Sequence, residues 1–219
     1  MTEDRLDLKK TRIRRFFLTL EKKKEGGEVV EEKDNKLLEE GMKYIQLHLP
    51  IDKITEAFEE TVKKNVKSKV VKADIREADE SDLDVICHLY NRAWLTSHEP
   101  FSQLDTENLR AILNDPDTKI FIAKVYGSDA GFLIIDREGP NKEYGVIIGL
   151  GVLPRFQRKG IGTILGMEAW KYFKEQEIKE LRTEVYIDNK VSYNFIKSLG
   201  FEECGMKVYT TKDFLLEEE

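Results

Sequence analysis

One stretch, GLGVLPRFQRKGIGTIL from Gly149 to Leu165, constrains this chain more than any other. It begins inside a strongly β run, YGVIIGLGVL, where Gly149 and Gly151 interrupt apolar and β-branched residues. Glycine within a strand marks a bulge or a close approach by another backbone or a ligand. Such a strand can peel from its neighbour and offer its freed amides to an extended, amide-bearing ligand. A purely structural bulge accounts for the two glycines equally well. Gln157-Arg158-Lys159-Gly160-Ile161-Gly162 then leads into a helix whose apolar stripe is Ile161, Ile164, Leu165, Ala169, Tyr172 and Phe173. Glycines in a first helical turn let an anion reach unpaired amides at the positive end of the helix dipole, and Arg158 and Lys159 add charge there. The competing reading is an ordinary glycine-rich turn before a helix.

Two other phosphate motifs deserve comparison. A Walker loop needs Lys-Ser or Lys-Thr after its last glycine, and none follows here. Gly160, Gly162 and Gly166, with Glu184 further on, resemble a loosened dinucleotide fingerprint. In that fold the glycines follow the strand directly, whereas LPRFQRK intervenes here, and too little chain remains for a second nucleotide-binding half.

From about Ala73 to Leu215 the chain resembles the GNAT superfamily of N-acetyltransferases. The signature [QR]-x-x-G-x-[GA] after a bulged strand is met by QRKGIG, preceded by the hydrophobic-x-Pro step as VLP. A second pattern, Asn, a small residue, a helix and then Gly-Phe, is met by Asn189, Ser192 and Gly200-Phe201, and the opening IREADESDLDVI has the family's character. The resemblance implies an α/β (α+β) fold with a central mixed, mostly antiparallel sheet flanked by helices. It also implies acetyl-CoA as acyl donor. By position, Leu150, Gly151 and Val152 would lie along the pantetheine and thioester. Arg158, Lys159, Gly160, Ile161, Gly162 and Thr163 would wrap the pyrophosphate, and Asn189 would touch the pantetheine arm. Glu184 stands where a cleft-facing carboxylate serves as general base, or it is an outward-facing strand residue. The family often has a tyrosine seven residues beyond the Asn to protonate the departing thiolate; here that position is Ile196, and Tyr193, one turn earlier, is the candidate substitute or a packed aromatic. Loss of the acid is tolerable for a thiol of pKa ~8.5. The rival reading is a catalytically weak acyl-CoA-binding sensor or scaffold.

The remaining sequence bounds the context. Strands KIFIAKVY, GFLIIDRE and YGVIIGLGVL suit an antiparallel meander, followed by a helix, a strand near 181–187, a helix near 189–199 and strands from Phe201. The loop TSHEPFSQLD, with His98, Glu99 and Phe101, is a candidate wall of the acceptor site or a solvated loop. Residues 1–72 read as a mainly helical extension preceding an acetyltransferase domain at 73–219. Ile13 to Leu20 suits a helix or a hairpin arm; Leu37, Leu38, Met42 and Ile45 suggest one helical stripe and Ile54, Phe58, Val62 and Val66 another. The second stripe needs burial, against the catalytic domain or across a homodimer.

Charge divides unevenly: residues 1–72 carry 18 Lys/Arg against 15 Asp/Glu, and the rest carry 18 against 27. A phosphate-bearing partner would be repelled by the acidic part, so nucleic acid is not expected, and cationic acceptors are weakly favoured. Cys87 and Cys204 lack any metal or disulfide spacing, and His48, His88 and His98 are scattered, so no metal is expected. No run of eighteen apolar residues and no secretory leader is present, which points to a soluble, cytoplasmic protein away from the membrane. The resemblance further implies an amine acceptor, on a small molecule, a peptide or a protein.

Overall fold

The computed structural model describes residues 8–67, 72–95, 97, 99–100 and 103–215. The meander forms as its residues dictate. β2 (Ala73–Glu77), β3 (Lys119–Val125), β4 (Ser128–Glu138) and β5 (Tyr144–Val152) pair antiparallel in succession. α4 (Leu83–Trp94) and α5 (Thr106–Leu113) follow β2. The cap at Asp79 and Asp82 fixes the entry to α4, and the Asp105 side chain accepts from the Asn108 amide to start α5. After β5 come α6 (Ile161–Lys174), β6 (Glu180–Tyr186), α7 (Lys190–Ser198), β7 (Glu202–Tyr209) and the short α8 (Lys212–Leu215).

Strand alternation sorts the side chains into two layers. Ile120, Ile122, Phe132 and Ile134 pack with α4 and α5, while Phe121, Ala123, Leu133 and Ile135 pack beneath α6. The stripe on α6 is buried much as its spacing implies, through Ile161, Leu165, Ala169 and Phe173, with Trp170 added.

The N-terminal part is largely helical: α1 (Leu8–Glu25), α2 (Glu32–Glu40) and α3 (Glu56–Lys67). Ile13 to Leu20 is therefore helix and not a hairpin arm. The stripe Leu37 to Ile45 needs correction. The helix stops at Glu40, Gly41 takes φ 79°, and β1 (Met42–Pro50) begins. A glycine is required at that break, since a Cβ on Gly41 would lie 2.6 Å from the Tyr209 carbonyl oxygen. β1 enters the sheet between β6 and β7, antiparallel to both, giving the order β2-β3-β4-β5-β6-β1-β7. Met42 and Tyr44 face a third cluster with Ile13 and Phe17 of α1, whereas Leu47 and Leu49 face the α6 side. Ile54 and Val62 are buried, and Phe58 meets Trp170 of α6 with ring centres 5.5 Å apart, so these three residues of the second stripe pack with the core beneath α6; the Val66 side chain lies outside the described residues.

Candidate active site

β5 and β6 run parallel, but their pairing covers only Tyr144–Val146 against Glu180–Arg182. Beyond that point they separate, and at the fork the Thr183 hydroxyl donates to the Ile147 carbonyl (3.0 Å). A bulge contributes to the divergence: Ile134 pairs Gly149 and Ile135 pairs Ile147, leaving Ile148 as the extra residue on β5. The Leu153 amide donates to the Ala130 carbonyl (2.8 Å). Alternation along an antiparallel ladder therefore turns the amides of Val152 and Leu150 away from β4, to the side that β6 has vacated. Gly151 is needed for a different reason from ligand approach. A Cβ there would lie 2.4 Å from the Phe132 ring and 2.9 Å from Ala93.

The gap is a cavity of about 490 Å3. One wall is β5 from Ile147 to Val152; the opposite wall is β6 from Thr183 to Tyr186, with Asn189, Phe195 and Ile196. At one end lies the turn into α6. Arg158 and Gly160 both take left-handed backbone, φ 58° and 78°, and the first helical bond runs from the Ile164 amide to the Gly160 carbonyl (3.0 Å). The amides of Gly160, Ile161, Gly162 and Thr163 thus precede any intrahelical acceptor. Gln157 ties the turn back to the strand by donating to the Val152 carbonyl (3.0 Å). Arg158, Gly160, Ile161, Gly162 and Thr163 line the cavity; Lys159 is not among the lining residues and sits 5.6 Å from the centre of the Phe156 ring. Asn189 lines the cavity while its side chain caps α7 by accepting from the Ser192 amide (3.1 Å).

Glu184 is half-buried on the β6 wall and accepts two hydrogen bonds, from Gln46 (3.1 Å) and from the Tyr209 hydroxyl (2.9 Å). The donors come from the two strands beyond β6, Gln46 from β1 and Tyr209 from β7. Tyr193 lies elsewhere: its hydroxyl donates to Glu203, an interaction that raises its pKa, and it is not a lining residue, whereas Ile196 is.

At the far end stands a group that sequence reasoning passed over. Arg12 of α1 forms a buried ion pair with Glu99, each side chain only 5% exposed. The Tyr44 hydroxyl donates to the same carboxylate oxygen (2.7 Å), and the guanidinium lies 4.6 Å above the Trp94 ring. Burial disfavours the Arg12 charge, but Glu99 together with the Tyr90 and Tyr44 hydroxyls outweighs it, and the pKa is raised. Burial, then Glu99, pushes the Tyr44 hydroxyl well above the ordinary tyrosine range. Arg12, Trp94, Ser97 and Glu99 all line the cavity. Of the loop residues singled out in the sequence, Glu99 is thus at the site; His98 and Phe101 lie outside the described residues. Arg12 carried no local signal, because its partner is 87 residues away.

Among the described residues no cluster of His, Cys, Asp or Glu is arranged to hold a metal, and no helix is long and apolar enough to cross a membrane. The family model described as acetyltransferase (GNAT) matches residues 83–201. An N-alpha-acetyltransferase of Sulfurisphaera tokodaii is 28% identical over 144 residues, 59% of this chain and 80% of that one. An aminoglycoside N(6')-acetyltransferase of Acinetobacter haemolyticus is 34% identical over 68 residues, which span 31% of this chain and 47% of that protein. The aminoglycoside N-acetyltransferase AAC(6')-Iy, solved in complex with CoA, superposes with a TM-score of 0.52 over 63% of this chain and 93% of that one, at 22% identity.

Proposed function

The chain belongs to the acetyltransferase (GNAT) family and is an acetyl-CoA-dependent acetyltransferase, and from that premise we propose that it moves the acetyl group to a primary amine by direct attack on the thioester within the β5–β6 cavity. The observation that carries this reading is the fork itself. It sets an amide-rich helix start at one end, outward-turned β5 amides along one wall and a carboxylate on the other.

The residues present fit the donor. The left-handed backbone at Gly160 and the unpaired amides through Thr163 suit a pyrophosphate, with Arg158 adding charge. Leu150 and Val152 offer amides to the pantetheine chain as an added strand would use them, with Gly151 between them packed against Phe132. Asn189 stands near its arm. Lys159 acts at longer range, outside the cavity wall. When bound, acetyl-CoA supplies the activated acetyl group.

The protein then has three tasks. Glu184 accepts a proton from the acceptor ammonium, directly or through water, so that a lone pair is free to attack; its two hydrogen bonds hold the carboxylate in place for this. The Val152 amide donates to the carbonyl oxygen as negative charge grows there, an interaction typically worth ~3 kcal/mol. The walls hold amine and thioester together, which lowers the entropic part of the barrier. Tyr193 is assigned no role as acid, since its hydroxyl is engaged by Glu203 away from the cavity. As the C–N bond forms and the C–S bond breaks, the second proton on the nitrogen passes to solvent or to the departing sulfur, so the thiol leaves without a hydroxyl from α7, and Ile196 keeps that wall apolar.

The acceptor is an amine on a small molecule or at a peptide terminus, the two kinds suggested by the names of the aminoglycoside and N-alpha relatives. The test is thiol release from acetyl-CoA against a panel of amines and peptides, with mass detection of the acetylated product. Acetyl-CoA binding without release for any acceptor would instead identify a sensor.

A further inference from the structure

β6 stops pairing with β5 without leaving the sheet. Its other edge stays laddered to β1 from Glu180 through Tyr186, and β5 in turn stays laddered to β4 from Tyr144 to Val152. Only the ladder between them ends, after Val146 and Arg182. The next residues in that register are Ile147 and Thr183, both buried, and there a side chain takes over from the backbone: the Thr183 hydroxyl donates to the Ile147 carbonyl (3.0 Å). A backbone ladder holds neighbouring strands about 4.8 Å apart. A bond made through Cβ and Oγ is satisfied with the two backbones farther apart, so the carbonyl is paired without drawing β6 onto β5. Thr183 also lines the cavity that opens beyond it.

We infer that Thr183 is a positioning residue for the donor, a side-chain spacer that ends the β5–β6 ladder and keeps the edge of β5 beyond Ile147 open to pantetheine. The inference rests on the acetyl-transfer reading, with the donor in the fork, and adds the group that holds the fork apart. The position calls for a hydroxyl. Without a donor at 183 the buried Ile147 carbonyl loses its partner, a cost that is removed when a backbone amide of β6 closes onto it. Each strand is fixed along its outer edge, so the spacing between them is what gives, and closure there narrows the gap faced by the Leu150 and Val152 amides. Branching at Cβ contributes too. Thr has few χ1 states and presents its hydroxyl to the carbonyl at small entropic cost.

The test is calorimetry with two ligands. Acetyl-CoA would engage both the turn into α6 and the fork, whereas 3′-phosphoadenosine 5′-diphosphate, which is CoA without pantetheine, would reach the turn alone. Thr183→Val keeps the branched shape and removes the hydroxyl. It should lower acetyl-CoA affinity about tenfold, the worth of one hydrogen bond, and leave the affinity for the diphosphate unchanged. Thr183→Ser keeps the hydroxyl and should stay within about threefold of wild type for both ligands. Should Thr183→Val not fold, Thr183→Cys replaces it, since a thiol is a weak donor of similar size and should show the same selective loss in smaller degree. Unchanged acetyl-CoA affinity in the variant lacking the hydroxyl overturns the inference. So does an equal loss for both ligands, or a Thr183→Ser protein that binds acetyl-CoA no better than Thr183→Val. No acceptor is present in these measurements. A protein that binds acetyl-CoA yet acetylates no amine therefore refutes the transfer reading, while the role of Thr183 is still decided by the two affinities.

Discussion

Replacing Glu184 with Gln tests the proposed proton acceptor with little change of shape. The carboxylate accepts from Gln46 on one oxygen and Tyr209 on the other. The amide retains one acceptor oxygen and turns the other contact into a meeting of two donors, unless the Tyr209 hydroxyl or the Gln46 amide rotates. Hydrogen bonds to a charged group contribute ~1.5–3 kcal/mol and neutral ones ~0.5–1.5, so the stability loss is about 1–2 kcal/mol. For a chain of this size that is a Tm drop of roughly 2–8 °C, small enough for the variant to fold. The loss in rate should be much larger, about 100-fold or more at neutral pH, the usual contribution of a positioned base. The sign with pH follows from the acceptor. As pH rises toward the amine pKa, the free-amine fraction grows about tenfold per unit and the base is needed less, so the variant's deficit should shrink. Thiol release at fixed saturating acetyl-CoA gives the rates, and calorimetry checks that donor affinity is intact. A variant whose rate and pH profile match the wild type would falsify the role of Glu184 and leave it a structural carboxylate on β6.

Other outcomes follow from the same geometry. Gly160→Asp sets a carboxylate at a left-handed residue beside the unpaired amides of α6, and calorimetry should show acetyl-CoA affinity reduced by tenfold or more, with circular dichroism unchanged; equal affinity means that the donor lies elsewhere. Deleting residues 1–70 removes β1 from between β6 and β7 and should yield insoluble chain, whereas deleting 1–27 keeps β1 and should give a folded protein that binds acetyl-CoA but uses acceptors poorly; sedimentation and the thiol assay distinguish the two. Burial, aided by Asp105 and Asp84, pushes the Cys87 thiol up to about 11, while Cys204 is exposed, so one thiol should react with a chromogenic disulfide at pH 8 in the native state and the second only after unfolding. Rapid labelling of both thiols would contradict the packing of α4.

The catalytic half was readable because its signals are local. Glycines at 149, 151, 160 and 162 announce a bulge and a helix start within fourteen residues, and the β4, β5 and α6 patterns follow simple periods. Strand β1 was missed for a definite reason. Its buried residues change faces along its length, Met42 and Tyr44 on one side and Leu47 and Leu49 on the other, so no single-face alternation is visible, and Met42 and Ile45 happen to extend a helical stripe begun at Leu37. Tyr193 was misplaced by geometry of another kind. Three residues of helix turn a side chain by about 300°, and that offset from Ile196 is enough to point the hydroxyl at β7. The Arg12–Glu99 pair was beyond reach because neither residue's neighbours in sequence hint at the other.

The place of β1 in the sheet also fixes an order of events in folding. β6, which bears Glu184, is flanked by β5 over only three residue pairs and by β1 over seven. β1 leaves the ribosome early, yet both of its partners are among the last strands made, at residues 180–186 and 202–209. Closing so long a loop is entropically unfavourable and slow compared with zipping the β2–β5 meander, whose strands are sequence neighbours. The meander and the turn into α6, proposed above to hold the donor's pyrophosphate, can therefore form while β6, with the proposed base, is still a bare edge. Completion waits for the first strand of the chain to be captured by the last two, and saturating acetyl-CoA during refolding should speed the early phase while leaving the final one unchanged.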